Sequence, residues 1–326
     1  MNNVNYIKNV CQSQMPHTRL INKHFCLFFF ALFLFVAGDV LAFPLAIVVQ
    51  GVMVRPYDEV FKGIKSSYGS NIDRIILYGY KGDLEQYVRQ RQPSLLFAIG
   101  KWALSNLSSI NDIPIIYLMV LNPDPSITRK RNIAGIEMLV PATRELFHIR
   151  RLIPAAKRVG VIYSPKHSRA IYRDISEAVK QYHMQIIGKE VVSAGDLPRA
   201  ISSMAGSIDI FIMIPDITLI TPDTLHFMAL FFLKRSIPVV TFSEKYLKMG
   251  AFMAIYPDPY GIGVQAGGLA KKILQKRIRL PARLWPKKEI IKVNPRVLNN
   301  LGFYMQTGYR SGARARARVS SNGIDQ

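Results

Sequence analysis

Short apolar, β-branched runs alternate with helix-patterned stretches from residue 45 to residue 255. Strands are expected at 45–49, 74–78, 95–99, 114–120 and 133–138, and again at 159–163, 185–192, 208–214, 238–242 and 250–255. Helical spacing or helix-start signals fall between them. Tyr57, Val60, Phe61 and Ile64 repeat at helical spacing, and Thr221-Pro222-Asp223 is a capped start with proline in the first turn. Strand–helix alternation of this length requires parallel sheets covered by helices. Two sets of about five strands fit two lobes better than one sheet of ten. At 326 residues and 49% hydrophobic content the chain can fill both cores.

One unit shows the pattern most clearly. Residues 159–163 (Val-Gly-Val-Ile-Tyr) suit a buried parallel strand, Ser164-Pro165 turns, and Ser168 stands at an N-cap position ahead of a helical stretch from Arg169 to Met184. Loops after the carboxyl ends of such strands carry ligands, so residue 163 marks a candidate cleft rim.

The ends of the chain read differently. Residues 1–24 are polar and weakly basic, residues 25–37 are apolar, and Val40-Leu41-Ala42 offers small residues at the right spacing for cleavage before Phe43. Residues 1–42 therefore read as a secretory signal peptide, with an uncleaved inner-membrane anchor as the alternative. Both cysteines, Cys11 and Cys26, lie there, so disulfides, cysteine-ligated zinc and a cysteine nucleophile are not expected in the exported protein. The formal net charge is +22. For an exported chain this points to an anionic ligand, an anionic membrane surface or a solvated basic face rather than to nucleic acid. Residues 308–326, with Arg310, Arg314, Arg316 and Arg318 and no apolar periodicity, read as a disordered basic tail.

Several segments resemble, in order, those of the bacterial ABC-transporter substrate-binding proteins, a group with tryptophan- and tyrosine-binding members. Residues 154–165 (Pro-Ala-Ala-Lys-Arg-Val-Gly-Val-Ile-Tyr-Ser-Pro) are similar to its P-x-A-K-R-V-G-V-L-Y-N-P segment. Asn132 to Ile136, Asp209 to Asp216, Ile237-Pro238-Val239, Lys248 to Ala251, Pro257 to Gly263, and Ile291 to Asn294 with Leu301-Gly302 match further pieces. The resemblance spans most of 43–303. It implies an α/β fold of the type I periplasmic binding protein kind: two Rossmann-like lobes with parallel sheets, joined by a hinge. Lobe one is expected at 43–140 plus about 258–305, and lobe two at 141–257. Crossovers are expected near 139–142, 238–245 and 256–262, with the late helix and strand returning to lobe one.

A cleft of that kind draws contacts from strand ends and helix N-termini of both lobes. In lobe one these are Gln50 and Gly51, Gly100, Lys101 and Trp102, and Asn122; in lobe two, Tyr163, Ser164, His167, Ser168, Asp216 and Ser243. Ser164 and Ser168 are candidates to hold a carboxylate, Asp216 to pair with an ammonium group, and Trp102 or Tyr163 to stack on a ring. Each has a plain alternative: Asp216 turns the chain or caps a helix, Trp102 is core, Lys101 is surface charge, and Ser168 is an N-cap. Departures from the family pattern include Asn122-Pro123-Asp124-Pro125 after the fourth strand, Ser164 after Tyr163, and the very apolar stretch 227–233.

The leading function is a periplasmic receptor that closes on an amino acid-like or anionic ligand and passes it to an ABC permease. The competing one is a periplasmic sensor or partner protein using the same fold, with or without a working site. An enzyme is not expected: the sequence contains no G-x-S-x-G, H-E-x-x-H or P-loop, and its six histidines show no metal spacing. No cofactor or metal and a monomeric state are expected.

Overall fold

The computed structural model describes residues 43–301, so the leader and the basic tail read from the sequence lie outside the described residues. Five strands, β1 (Ala46–Gln50), β2 (Ile72–Ile76), β3 (Leu95–Ile99), β4 (Ile115–Leu118) and β5 (Ile133–Ile136), alternate with α1 (Arg55–Tyr68), α2 (Leu84–Arg91), α3 (Lys101–Leu107) and α4 (Pro125–Thr128). A second series follows: α5 (Ala142–Leu152), β6 (Arg158–Tyr163), α6 (Arg169–Gln181), β7 (Gln185–Glu190), α7 (Leu197–Met204), β8 (Ile210–Met213), α8 (Pro222–Lys234), β9 (Val239–Thr241) and β10 (Met253–Pro257). The chain ends its described course with α9 (Pro259–Leu274), β11 (Ala282–Leu284), β12 (Glu289–Val293) and α10 (Pro295–Asn300).

The strands form two six-stranded sheets, in the orders β11-β5-β4-β3-β1-β2 and β12-β10-β9-β8-β6-β7. All pairings are parallel except that of β12 with β10. The central strands β1 and β3 are buried along their whole length, which is why they read as continuous apolar runs rather than as alternations. Each sheet is covered on both faces. Ile64 of α1 and Ala266 of α9 pack on one face of the first sheet, and Val88 of α2 and Leu104 of α3 on the other. Ile149 of α5, Ile175 of α6 and Leu298 of α10 cover one face of the second sheet, with Ile201 of α7 and Phe232 of α8 opposite.

Helix α9 returns to the first lobe and lies against α1 at backbone distance. A Cβ on Gly63 would sit 2.2 Å from the Tyr260 carbonyl oxygen, and one on Gly263 would sit 2.1 Å from that of Val60. The glycines of α9 thus make a close helix–helix approach possible.

The strand pairing departs from expectation at two places. No crossover occurs at 238–245, because β9 pairs with both β8 and β10 inside one sheet. The stretch from 258 to 305 does not belong wholly to lobe one: β12 pairs with β10, and Val297 and Leu298 enter the second core. The chain therefore passes between lobes at 137–141, at 258 and at 285–288. The passages at 137–141 and 258 fall where crossovers near 139–142 and 256–262 were expected; the one at 285–288 was not expected, because β11 is only three residues long and does not read as a strand. The stretch 122–125, which departs from the family pattern, runs into the short helix α4, capped by Asp124.

The last passage is held from both sides. Gln265 of α9 donates to the Trp285 carbonyl (2.9 Å) and accepts from the Lys287 amide (2.9 Å). Arg144 of α5 donates to the Pro286 carbonyl and to Glu289 (2.7 Å), and His148 contacts the same carboxylate at 3.1 Å. Burial pushes the Glu289 carboxyl up, but His148 and Arg144 hold it below its ordinary value. No described helix is long and apolar enough to cross a membrane.

Candidate functional site: the facing strand ends

In open parallel sheets a crevice opens where neighbouring strands send their connections to opposite sides. The first sheet has that switch between β1 and β3, the second between β6 and β8. The loops in question are 51–54 with Arg55, Gly100-Lys101-Trp102, Ser164 to Ser168, and the loop holding Asp216. Two observations show that these edges face each other. Asn122, just after β4, donates its side-chain amide to the His167 carbonyl across the lobes at 2.7 Å. The Glu244 carboxyl is held below its ordinary value chiefly by Lys292 of its own lobe, and Arg55, at the start of α1, lies close enough to add to that effect.

The first lobe presents an open rim. Gly100 has φ +91°, and a Cβ there would meet the Tyr57 hydroxyl at 2.6 Å, so glycine lets β3 turn sharply into α3. The turn delivers Lys101 and Trp102 to the surface, where Trp102 is 47% exposed. Trp102 is thus not core. A Cβ on Gly51 would lie 3.5 Å from the Trp102 Cβ, so the β1 and β3 loops abut. Lys101 acts electrostatically on Asp124, whose carboxyl is held low chiefly by the Ser126 amide it accepts. Asn122 is in the left-handed region at φ +48°. Gln50 is different: fully buried, its Oε1 accepts from Arg74 (2.7 Å) and its Nε2 donates to the Val52 carbonyl (2.7 Å).

The second lobe presents a closed polar knot. Asp216 is 3% exposed. Its Oδ2 accepts from the Ser164 hydroxyl (2.6 Å), the Ser164 amide (3.1 Å) and the Ser168 hydroxyl, and its Oδ1 accepts from the amides of Thr218 (2.8 Å) and Leu219 (3.2 Å). Burial alone would raise its carboxyl, but these donors outweigh it and hold the group below its ordinary value. Ser168 sits at the expected N-cap position yet makes no capping bond, because its hydroxyl is turned to Asp216. Tyr163 stacks on Tyr172 with ring centroids 4.1 Å apart, so that face is occupied within the lobe. Ser243 is half-buried at the start of a short 3₁₀ turn (Glu244–Met249) and makes no capping bond.

Three features escaped sequence reasoning. Arg55 carries no motif. The apolar rim side chains Met53, Tyr78 and Ile217 are exposed by 63%, 76% and 75%, and nothing in a local pattern separates them from core residues. Glu145 was also missed; it lies in the first turn of α5 after the first passage, and burial pushes its carboxyl up to about 7. A concavity of about 550 Å³ lined by Ala155, Ala205, Ile208 and Arg235 lies at the opposite end of the second sheet, away from the facing rims.

The family model for ABC transporter substrate binding proteins matches residues 70–303. The chain belongs to that family. The Tyrosine-binding protein of Clostridioides difficile (strain R20291) is 25% identical over 190 residues, 56% of this chain and 54% of that protein, so the match spans about half of the relative's length. Among solved structures, a ligand-free, open substrate-binding protein with adhesive properties from Clostridium difficile superposes with a TM-score of 0.63 at 19% identity, covering 82% of this chain and 98% of that one. An ABC domain in complex with L-Trp from Streptococcus pneumonia gives 0.54 at 18% identity, covering 81% and 97%. These likenesses show the fold of this binding protein: two parallel-dominated sheets with interleaved helices, of the type I periplasmic kind.

Proposed function

We propose that this member of the family is an exported solute receptor that closes its lobes on a small ligand between the facing strand ends and delivers it to an ABC permease. The observation that carries the proposal is the pair of switch points turned toward each other, with Asn122 already reaching His167 across the gap. Three separate chain passages, one of them held by Gln265 and Arg144, suit a hinge that bends without letting the lobes separate. Ligand contacts would come from Gly100, Lys101, Trp102, Asn122 and Ser243, while Gln50, Tyr163, Ser164, Ser168 and Asp216 would shape the rims that carry them. Closure is then a shift of population between open and closed forms, driven by the ligand's extra contacts in the closed one. No enzymatic step is part of this function.

The test is small-angle scattering on the purified protein with each hit of a thermal-shift screen. A ligand that binds only the folded state raises the melting temperature. A closing receptor also shrinks, so a fall in radius of gyration is expected with any such hit. Hits that raise the melting temperature but leave the radius unchanged would remove closure from the account.

A further inference from the structure

We infer that the ligand is an apolar organic anion, such as an aromatic carboxylate, that carries no ammonium group. The inference rests on the receptor function proposed above and narrows its ligand class.

Both rims carry exposed apolar side chains. Met53, Val54, Tyr78 and Trp102 of the first lobe, and Val192 and Ile217 of the second, all follow strand carboxyl ends and are all exposed. Large apolar side chains gathered at one edge in this way mark a binding surface rather than ordinary surface scatter. They favour a ligand with an apolar body.

Two cations flank the first switch point. Arg55 and Lys101 start the helices that follow β1 and β3, the two strands flanking the first switch point. Both are exposed, and among the described residues neither forms a salt bridge. Two cations beside Trp102 suit one carboxylate attached to a ring.

The one buried acid at the facing strand ends, among the described residues, has no oxygen to spare for an ammonium group. Asp216, the buried strand-end acid, receives five hydrogen bonds from its own lobe, which fills the roughly four lone-pair sites of a carboxylate. The other strand-end acids are not buried, so water competes for them, and each already has a partner. Asp124 and Asp258 accept the amides of Ser126 and Tyr260, Glu137 accepts from Tyr117 and Arg283, Glu190 pairs with Arg169, and Glu244 pairs with Lys292. Asp223 makes no such bond, but it lies on the outer face of α8 beside His226 and Phe227. The hydroxyls of Ser164 and Ser168 both donate to Asp216, so neither is free to donate to a carboxylate of the ligand.

Calorimetry on ring-matched triplets tests this: 3-phenylpropionate, L-phenylalanine and phenethylamine, then indole-3-propionate, L-tryptophan and tryptamine. In each triplet the acid is expected to bind at least tenfold more tightly than the amino acid, and the amine not at all. Lys101→Ala and Arg55→Ala are each expected to weaken the acid about tenfold with the melting temperature unchanged. An amino acid that equals or exceeds its matched acid overturns the ligand class and leaves the receptor function standing. Failure of every acid, with closure on some other solute, does the same. Failure of all six compounds, with no solute closing the lobes in scattering, overturns both.

Discussion

At the first lobe's rim Lys101, Trp102 and Arg55 stand exposed at the starts of helices, whereas at the second lobe's rim Ser164, Ser168 and Asp216 are buried and bonded to one another. The two rims occupy equivalent places, each at the switch point of its sheet. The difference lies in how polar groups are satisfied. A buried carboxylate must find donors within the protein or become neutral, and Asp216 finds five. Exposed cations face no such demand and remain available to a partner. One rim is thus built to hold its own shape and the other to meet something else.

The largest expected effect breaks the closed rim. Asp216→Ala leaves two hydroxyls and the Thr218 and Leu219 amides without their acceptor, and should lower unfolding free energy by about 3 kcal/mol in urea titrations. A loss below about 0.5 kcal/mol would return Asp216 to the ligand-contact role first considered for it. The same knot has a pH signature. The Asp216 carboxyl is held below its ordinary value near 3.8, so its contribution is fully present above that value and disappears as the pH falls through the lower folded one. Asp216→Asn should therefore flatten the acid limb of the stability curve.

Glu145 sharpens the contrast from the opposite direction, since its carboxyl is raised from 4.5 to about 7. With a raised folded value, the group costs nothing below the unfolded value and is increasingly unfavourable as the pH rises to the folded one. Glu145→Gln should stabilise the protein by on the order of 2 kcal/mol above about pH 7 and by little near pH 4, read from melting curves across that range.

Changes at the open rim should touch binding rather than stability. Trp102→Ala is expected to leave the unfolding free energy within about 0.5 kcal/mol while weakening ligand binding about tenfold by calorimetry. Smallest of all is Asn122→Ala, which removes the hydrogen bond from the first lobe to the His167 carbonyl. An exposed hydrogen bond is worth about 0.5–1 kcal/mol, so the ligand-free protein should open slightly, seen as a larger radius of gyration.

Much of the fold was legible because buried parallel strands such as 95–99 and 159–163 announce themselves as apolar runs between turn residues. Strand β11 was not, because three residues with an arginine in the middle carry no period. That one gap hid the passage at 285–288 and put β12 in the wrong sheet. For the site, position at strand ends was readable but availability was not. Gln50, Ser164 and Asp216 look like ligand contacts in sequence, yet their hydrogen-bond partners come from residues 24 and 52 positions away. Exposure of Met53, Tyr78 and Ile217 is likewise a tertiary property.

The most direct measurement is a crystal structure of the protein grown with its tightest-binding aromatic carboxylate. The account predicts the ring against Trp102 and the apolar rim between β3 and β8, with the carboxylate at Lys101 and Arg55. A ligand seated instead in the concavity at the far end of the second lobe, beside Ala205 and Arg235, would contradict it.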